Sequence, residues 1–280
     1  MVSYKPTNAD IASYWEKGYW ISPKLIDDQT IARLRTALDR AFRNEFDGHG
    51  TLFDGQLLKS PDDPLAMRRV INAWWINDDI RQTVCDSGLG RIAAQLMKVD
   101  RVRLWSDQVI LKPGTGKVGA TKVGNIGWHQ DAAYWHINSA KENMVTAWIA
   151  LQDTDLINGG MRTLDGSHRW GYIPESDKFF DPNLDNQRAY FEKQGFGPWL
   201  DEPCLLPAGH ASFHHSLCFH GSEQNKTNAP RLSVVGHYMP DGAAFDASGR
   251  YMKFLHLLGP RPQPGAKFAE PNWPVVYPPS

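Results

Sequence analysis

The chain carries 280 residues, 41% hydrophobic and 22% charged, with 30 Lys and Arg set against 31 Asp and Glu. That is enough apolar material for one large domain spanning 1–280 to bury a core, and too much for a compositionally disordered chain. A formal net charge of −1 and a pI of about 6.8 leave no basic stripe for nucleic acid, and no apolar run approaches membrane-spanning length.

In chain order, residues 8–17 carry a weak helical pattern, and "GYWISP" (18–23) reads as a short strand. Over 27–46, Ile31, Leu34, Leu38 and Phe42 recur at helical spacing behind Asp27 or Asp28 as N-cap, which predicts a helix. A second helix is predicted over 87–98, and "RVRLWSDQVILK" (101–112), rich in β-branched and aromatic residues, reads as a strand. Beyond it helix signals nearly vanish. Short β-like runs follow at 145–153, 159–167, 211–220 and 231–239, separated by Gly, Pro and Asn clusters. The interval 170–200 is polar, aromatic and irregular, as a lid or insert would be, and 260–280 reads as a C-terminal tail. A helical part at about 8–98 and a strand-rich core at about 101–259 predict a mainly β fold with flanking helices, built as an antiparallel sandwich or barrel.

The three cysteines, Cys85, Cys204 and Cys218, are widely spaced and form no CxxC pair, which argues against a disulfide framework or a thiolate zinc site. The opening stretch lacks the basic-then-apolar order of a secretion signal, so a cytoplasmic protein is expected. The 11 tryptophans suit a thick aromatic core and a ring-gripping pocket equally well.

Chemistry concentrates in two places. In "GWHQDAAYWHIN" (127–138), His129 and Asp131 are two apart, so on a strand they would present an imidazole and a carboxylate side by side. An HxD triplet is common by chance and needs a third ligand from elsewhere. "FHHSLCFHGSEQNKTNAPRLS" (213–233) offers His214, His215 and His220. His220 is favoured, because the turn after it suits a hairpin whose second strand opens at Arg231. Arg231 and Ser233 share a strand face, where a guanidinium and a hydroxyl suit a carboxylate held near a metal. Two histidines and one aspartate form a facial triad with open positions for a 2-oxo acid and dioxygen, which favours non-haem Fe(II) over an enclosed structural zinc.

These pieces resemble the phytanoyl-CoA dioxygenase family of Fe(II)- and 2-oxoglutarate-dependent oxygenases. "YWEKGYW" with the helix after it, "WHQD" (128–131), "TAWIALQD" (146–153), "NGGMRTLDGSHRWG" (158–171) and "HGSEQNKTNAPR" (220–231) occur in the family's order, over roughly 10–260. The resemblance implies a double-stranded β-helix, the cupin-like jelly-roll, with helices on one side. It implies His129, Asp131 and His220 as iron ligands and Arg231 as partner of the distal carboxylate of 2-oxoglutarate. Ser222 is implied as a second partner of that carboxylate, with Ser233, placed by strand alternation, as the other candidate, and Trp148 is implied as lining the cosubstrate pocket. Lys112 and Leu111 are possible equivalents of a lysine and an apolar residue that some members carry upstream of the HxD. Asp131 stands where halogenases of this superfamily carry Ala or Gly, so hydroxylation of an unactivated C–H, releasing succinate and CO2, is favoured over chlorination. Desaturation, cyclisation or epimerisation would use the same centre.

The remaining histidines receive blander readings: His168 as a turn residue bonded to backbone, His214 as pointing away from the metal or supporting its ligands from behind. Trp128 is assigned to packing, while Tyr134 and Trp135 are candidates for substrate contact. The implied partner is a small, partly apolar or ring-bearing molecule, with no nucleic acid and no membrane; the oligomeric state is open. The rivals are a non-catalytic jelly-roll that binds carbohydrate and a zinc hydrolase, the latter with no evident use for the Arg231–Ser233 pair.

Overall fold

A computed structural model of the chain describes residues 2–47, 65, 67–116, 124–135, 137–138, 142–247 and 255–279. His136 and most of the Gly-rich loop at 113–125 lie outside the described residues.

Helix α1 (Asn8–Lys17) opens with a capping box, Thr7 accepting from the Asp10 amide while the Asp10 carboxylate takes the Thr7 amide. Gly18, at φ 86°, closes it and turns the chain into strand β1 (Tyr19–Ile21). Helix α2 (Asp28–Phe42), capped by Asp27, buries Ile31, Leu34, Leu38 and Phe42 along one face. It ends at Phe42 rather than 46 because Asn44 takes a left-handed conformation at φ 59°. Strand β2 (Arg68–Ile71) and helices α3 (Asp78–Val84) and α4 (Ser87–Met97) follow, then the long strand β3 (Val102–Lys112).

The remaining elements are β4 (Ile126–His129), β5 (Val145–Ala150), β6 (Met161–Leu164), α5 (Leu184–Lys193), β7 (Asp201–Pro203), β8 (Ala211–His215), β9 (His220–Ser222), β10 (Arg231–Pro240) and β11 (Val275–Tyr277). One sheet has the order β1-β8-β5-β10-β3-β11, with β2 also paired to β3; the other has the order β4-β9-β6-β7. Two curled antiparallel sheets with helices flanking one of them make a mainly β jelly-roll. Helices α2, α3 and α4 join Val109, Ala147, Ile149, Phe213 and Val234 from one face of the larger sheet in the main apolar cluster. Each such fully buried Val, Ile or Phe contributes roughly 1.5–3 kcal/mol.

Alternation leaves the other face mixed, with polar groups set among a small apolar cluster of Ile110, Trp148, Ala150 and Val235. Register places Lys112, Ile110 and Gln108 of β3 opposite Arg231, Ser233 and Val235 of β10. Ser233, Val235 and His237 of β10 lie in turn opposite Ala150, Trp148 and Thr146 of β5, and Ser212 and His214 of β8 opposite Trp148 and Thr146. All of these share the face turned toward the smaller sheet.

Several expectations are corrected. The run 211–220 is two strands, β8 in the larger sheet and β9 in the smaller, separated by a turn around Ser216–Cys218. His220 and Arg231 therefore open strands of different sheets, and the segment between them crosses the sandwich instead of forming a hairpin. Helix α5 lies where helix signals were absent. It forms because Phe191 docks on Phe219 at 5.0 Å, beside Trp128 and Trp199, which sit 5.4 Å apart. The tail at 260–280 is built in: β11 pairs with β3, and Phe268 and Trp273 are buried against Trp105. Ten of the 11 tryptophans lie in the helices, hydrophobic clusters and surface packing, and Trp148 alone of them lines the cleft described below. The tryptophan count thus reports on packing and gives no support for a ring-bearing substrate.

Candidate metal centre and cosubstrate pocket

His129 is the last residue of β4, and Asp131 opens a 3-10 turn, Asp131–Tyr134. The pair is thus not on a continuous strand, yet the turn brings the carboxylate back beside the imidazole. Gly127 lets the 178–181 backbone close against β4: a Cβ there would collide with the Lys178 carbonyl. His220 arrives from β9, in register with His129. Asp131 Oδ1 lies 3.8 Å from His129 Nε2 and 3.8 Å from His220 Nε2. One ligand atom from each of the three residues lies within 4.8 Å of the others, and all three side chains are buried.

The backbone fixes which nitrogens face inward. His129 Nδ1 donates to Gly127 O at 2.7 Å, and His220 Nδ1 to Cys218 O at 3.0 Å. A carbonyl only accepts, so both protons sit on Nδ1 and both Nε2 lone pairs face the carboxylate. Burial lowers the pKa of both rings, His220 well below its ordinary value with His129 and His214 nearby adding to the effect, so they stay neutral and able to ligate. Burial alone would raise Asp131, but the facing His220 and the hydrogen bond from His214 outweigh it and hold the carboxyl well below the usual range. Two neutral imidazoles and one carboxylate, converging and buried, suit a divalent metal with open positions.

Asp131 Oδ2 is held by a chain. Thr146 Oγ1 donates to it at 2.6 Å, His237 Nδ1 donates to Thr146 Oγ1 at 2.9 Å, and Gln108 Nε2 donates to His237 Nε2 at 3.1 Å. Thr146 has one proton, given to the carboxylate, so His237 must be protonated on Nδ1, leaving Nε2 to accept from Gln108. Burial lowers His237 to about 4, consistent with a neutral ring. His214 Nε2 adds a contact to Oδ2 at 3.3 Å. Oδ2 is thereby engaged while Oδ1 is left to the metal.

The other end of the cleft is cationic. Arg231 is buried, its guanidinium carbon 4.8 Å from the Trp148 ring and its Nη1 3.5 Å from Ser233 Oγ. Its Nε has no hydrogen-bond partner, and among the described residues no carboxylate lies within 4 Å of it. Burial depresses its pKa to about 10. A buried guanidinium left unpaired is costly unless an anion joins it, so this end fits the far carboxylate of a keto diacid. Across the register, Lys112 is fully buried and donates to Ser222 Oγ at 2.6 Å and to Glu223 O. Burial and the Arg231 charge push its pKa well down. Ser222 thus borders the cleft with its hydroxyl tied to Lys112, and Ser233 supports Arg231.

Sequence reading left Thr146, His237 and Gln108 unassigned and Lys112 uncommitted. Period-two alternation back from Trp148 and onward from Arg231 and Ser233 was the signal for the first two. The cleft encloses about 560 Å³ including its open mouth, and Met67, Ile110, Met161 and Phe179 join the polar residues in lining it. The segment 170–200 is anchored behind β4 by α5, whose Gln187 accepts from the Trp128 amide at 2.6 Å. It also brings Phe179 to 5.0 Å from the His129 ring. His168 accepts no metal role: its Nε2 meets Trp15 O at 3.0 Å. Trp128 packs as expected, Trp135 is buried against His237 at 4.9 Å, and the Tyr134 hydroxyl accepts from the Phe179 amide at 2.9 Å.

The sequence pattern of the phytanoyl-CoA dioxygenase family (PhyH) matches residues 14–233. An ectoine dioxygenase from Streptomyces avermitilis is 28% identical over 244 residues, 81% of this chain and 77% of that one. The peroxisomal phytanoyl-CoA dioxygenase of Mus musculus is 23% identical, over 84% of this chain and 69% of that one. Among solved structures, the α-ketoglutarate-dependent carbocyclase SnoK from nogalamycin biosynthesis superposes with a TM-score of 0.74 at 20% identity, covering 99% of this chain and 98% of that one. The epimerase SnoN, solved with Fe3+, α-ketoglutarate and nogalamycin RO, gives 0.73 at 24% identity, over 96% and 97%. These two share the architecture, while their different chemistries show that fold alone does not choose the reaction.

Proposed function

The chain belongs to the phytanoyl-CoA dioxygenase family of iron- and 2-oxoglutarate-dependent oxygenases, and from that premise we propose that it hydroxylates an unactivated C–H of a small molecule. The observation that carries this reading is the pairing of three buried, converging ligand atoms with an unpartnered buried guanidinium in one cleft. In this reading His129, Asp131 and His220 hold Fe(II), and Arg231 takes the distal carboxylate of 2-oxoglutarate. Trp148, stacked under the guanidinium, walls that arm of the pocket, while Ser222 and Ser233 fix the two cations beside it. The bound iron and keto acid supply the oxidation, with one atom of O2 entering the product as hydroxyl and the other entering succinate as CO2 leaves.

The chain itself positions and shields. The backbone carbonyls of Gly127 and Cys218 hold the two imidazoles in one tautomer, and the Thr146 chain holds one carboxylate oxygen forward. Phe179, edge-on to His129, keeps water from the substrate side. Among the described residues no helix is long and apolar enough to cross a membrane, and all three cysteines are free; a reducing cytoplasm is the setting we propose.

The test is succinate release from 2-oxoglutarate with Fe(II) and O2 across a panel of small molecules, for the native protein and for His129→Ala. Stimulated succinate release that disappears in the variant is expected. Turnover that persists in His129→Ala, or activity unaffected by removing oxygen, as a zinc hydrolase would show, would refute the assignment.

A further inference from the structure

A further cation lies on the cleft-lining face of the larger sheet, on an element the sequence did not announce. In β2, Arg69 pairs with Ile110 and so projects on the same face as that cleft-lining residue, as does Met67 two positions earlier. Its guanidinium carbon lies 4.8 Å from the Phe179 ring and 5.3 Å from the exposed Phe180 ring. Phe179 is in turn 5.0 Å from His129, so Arg69 stands one phenyl ring away from the triad. Among the described residues no carboxylate lies within 4 Å of it and no hydrogen bond engages it. Three other part-covered arginines do hydrogen-bond: Arg68 donates to Phe42 O, Arg91 to the carbonyls of Val2 and Tyr4, and Arg103 to Asp241.

We infer that the substrate is an organic carboxylate whose carboxyl group sits on Arg69 at the cleft mouth, directing the carbon to be oxidised past Phe179 toward the triad. The inference rests on the proposed oxygenase reading and names the substrate class for it. A guanidinium lodged against a pair of aromatic rings is partly shielded from water but keeps its in-plane N–H groups, which match the two oxygens of a carboxylate. Burial lowers the Arg69 pKa, and its charge in turn lowers His129 and His237. Both effects describe a cation out of bulk solvent and close to the centre. One cation balances one negative charge. Lys178, beside Phe179 in sequence, is already 3.9 Å from Asp177, so a dianionic phosphate would stay half compensated.

The experiment uses the full chain loaded anaerobically with Fe(II) and 2-oxoglutarate. Binding of 4-phenylbutyrate, its methyl ester, its amide, decanoate, methyl decanoate and phenyl phosphate is measured by ligand-detected NMR for the native protein, Arg69→Gln and Arg69→Lys. A charge-assisted pair predicts that at least one acid binds about ten- to a hundredfold more tightly than its ester. That preference should vanish in Arg69→Gln and survive in part in Arg69→Lys, with 2-oxoglutarate affinity unchanged. The inference is overturned if no acid binds the native protein more tightly than it binds Arg69→Gln, if acid and ester bind native protein alike, if phenyl phosphate outcompetes both acids, or if Arg69→Gln weakens 2-oxoglutarate instead. The acid–ester comparison on native protein stands even where a variant does not fold. Failure of the oxygenase reading shows separately, as absence of 2-oxoglutarate binding in the same titration, and the acid–ester comparison is then made without cosubstrate.

Discussion

Replacing Thr146 by Val keeps the shape of a buried side chain and deletes one hydroxyl. In the native protein that hydroxyl donates to Asp131 Oδ2 at 2.6 Å and is itself fixed by His237 at 2.9 Å. Without it, Oδ2 keeps the His214 contact at 3.3 Å and only a long approach of His237 Nδ1 at 3.9 Å, and the carboxyl regains much of the broad torsional freedom of a terminal sp2 group. A hydrogen bond to a charged group is worth about 1.5–3 kcal/mol, or about one to two decades in an equilibrium constant. Loss of a group that orients a ligand costs a similar factor in metal affinity. Thr146→Val should therefore bind Fe(II) about ten- to a hundredfold more weakly, while 2-oxoglutarate KM at saturating iron stays near native because Arg231 is untouched. Anaerobic titration with Fe(II), followed by tryptophan fluorescence, reads the first quantity and initial rates of succinate release the second. If Thr146→Val bound iron within twofold of native at an unchanged melting temperature, the chain from Gln108 to Asp131 would have no part in preparing the ligand.

Arg231→Met should raise the 2-oxoglutarate KM by about a hundredfold or more, as expected for losing a buried charge-assisted pair. Because an unpaired buried charge is removed, the cosubstrate-free fold should be no less stable by thermal melting; a lower melting temperature with unchanged KM would contradict this. Asp107 is fully buried and its carboxyl is pushed up to about 8, mainly by burial. Between the ordinary carboxylate range and that value the unfolded chain loses a proton the folded chain keeps, so stability falls as pH rises, by at most about 1.4 kcal/mol per pH unit. Asp107→Asn should flatten the decline between pH 5.5 and 8 in urea unfolding, and parallel slopes for the two proteins would sink the assignment. Fe(II) with 2-oxoglutarate at about a hundred times the dissociation constant should stabilise the fold by about 2.7 kcal/mol and raise the melting temperature by several degrees. His129→Ala should abolish the shift, and a shift of equal size in that variant would place the metal elsewhere.

Much of the site was legible because its signals are local. The HxD spacing, a histidine ahead of a turn, and an arginine with a serine two residues on are properties of short stretches, and the structure places all of them around one cleft. Helices α1, α2 and α4 were legible for the same reason, since caps and 3.6-residue spacing act over one or two turns. Helix α5 was not, because its few apolar positions gain their value only against Trp128 and Phe219, which come from two strands of the smaller sheet and its connections. Strand β2 carries two arginines and has no strand signature apart from its pairing with β3.

The sequence by itself determined the kinds of groups available and, through alternation, which of them share a face. Tertiary structure decided their use. The break at 216–219 sends His214 and His220 into different sheets, one supporting Asp131 and the other joining it. Pairing of β3 with β10 sets Lys112 beside Arg231, and pairing of β10 with β5 sets His237 on Thr146. Those partners are scores of residues apart in the chain. Only backbone hydrogen bonding between strands fixes which face which, and a slip of one residue would turn each of them to the opposite side of the sheet.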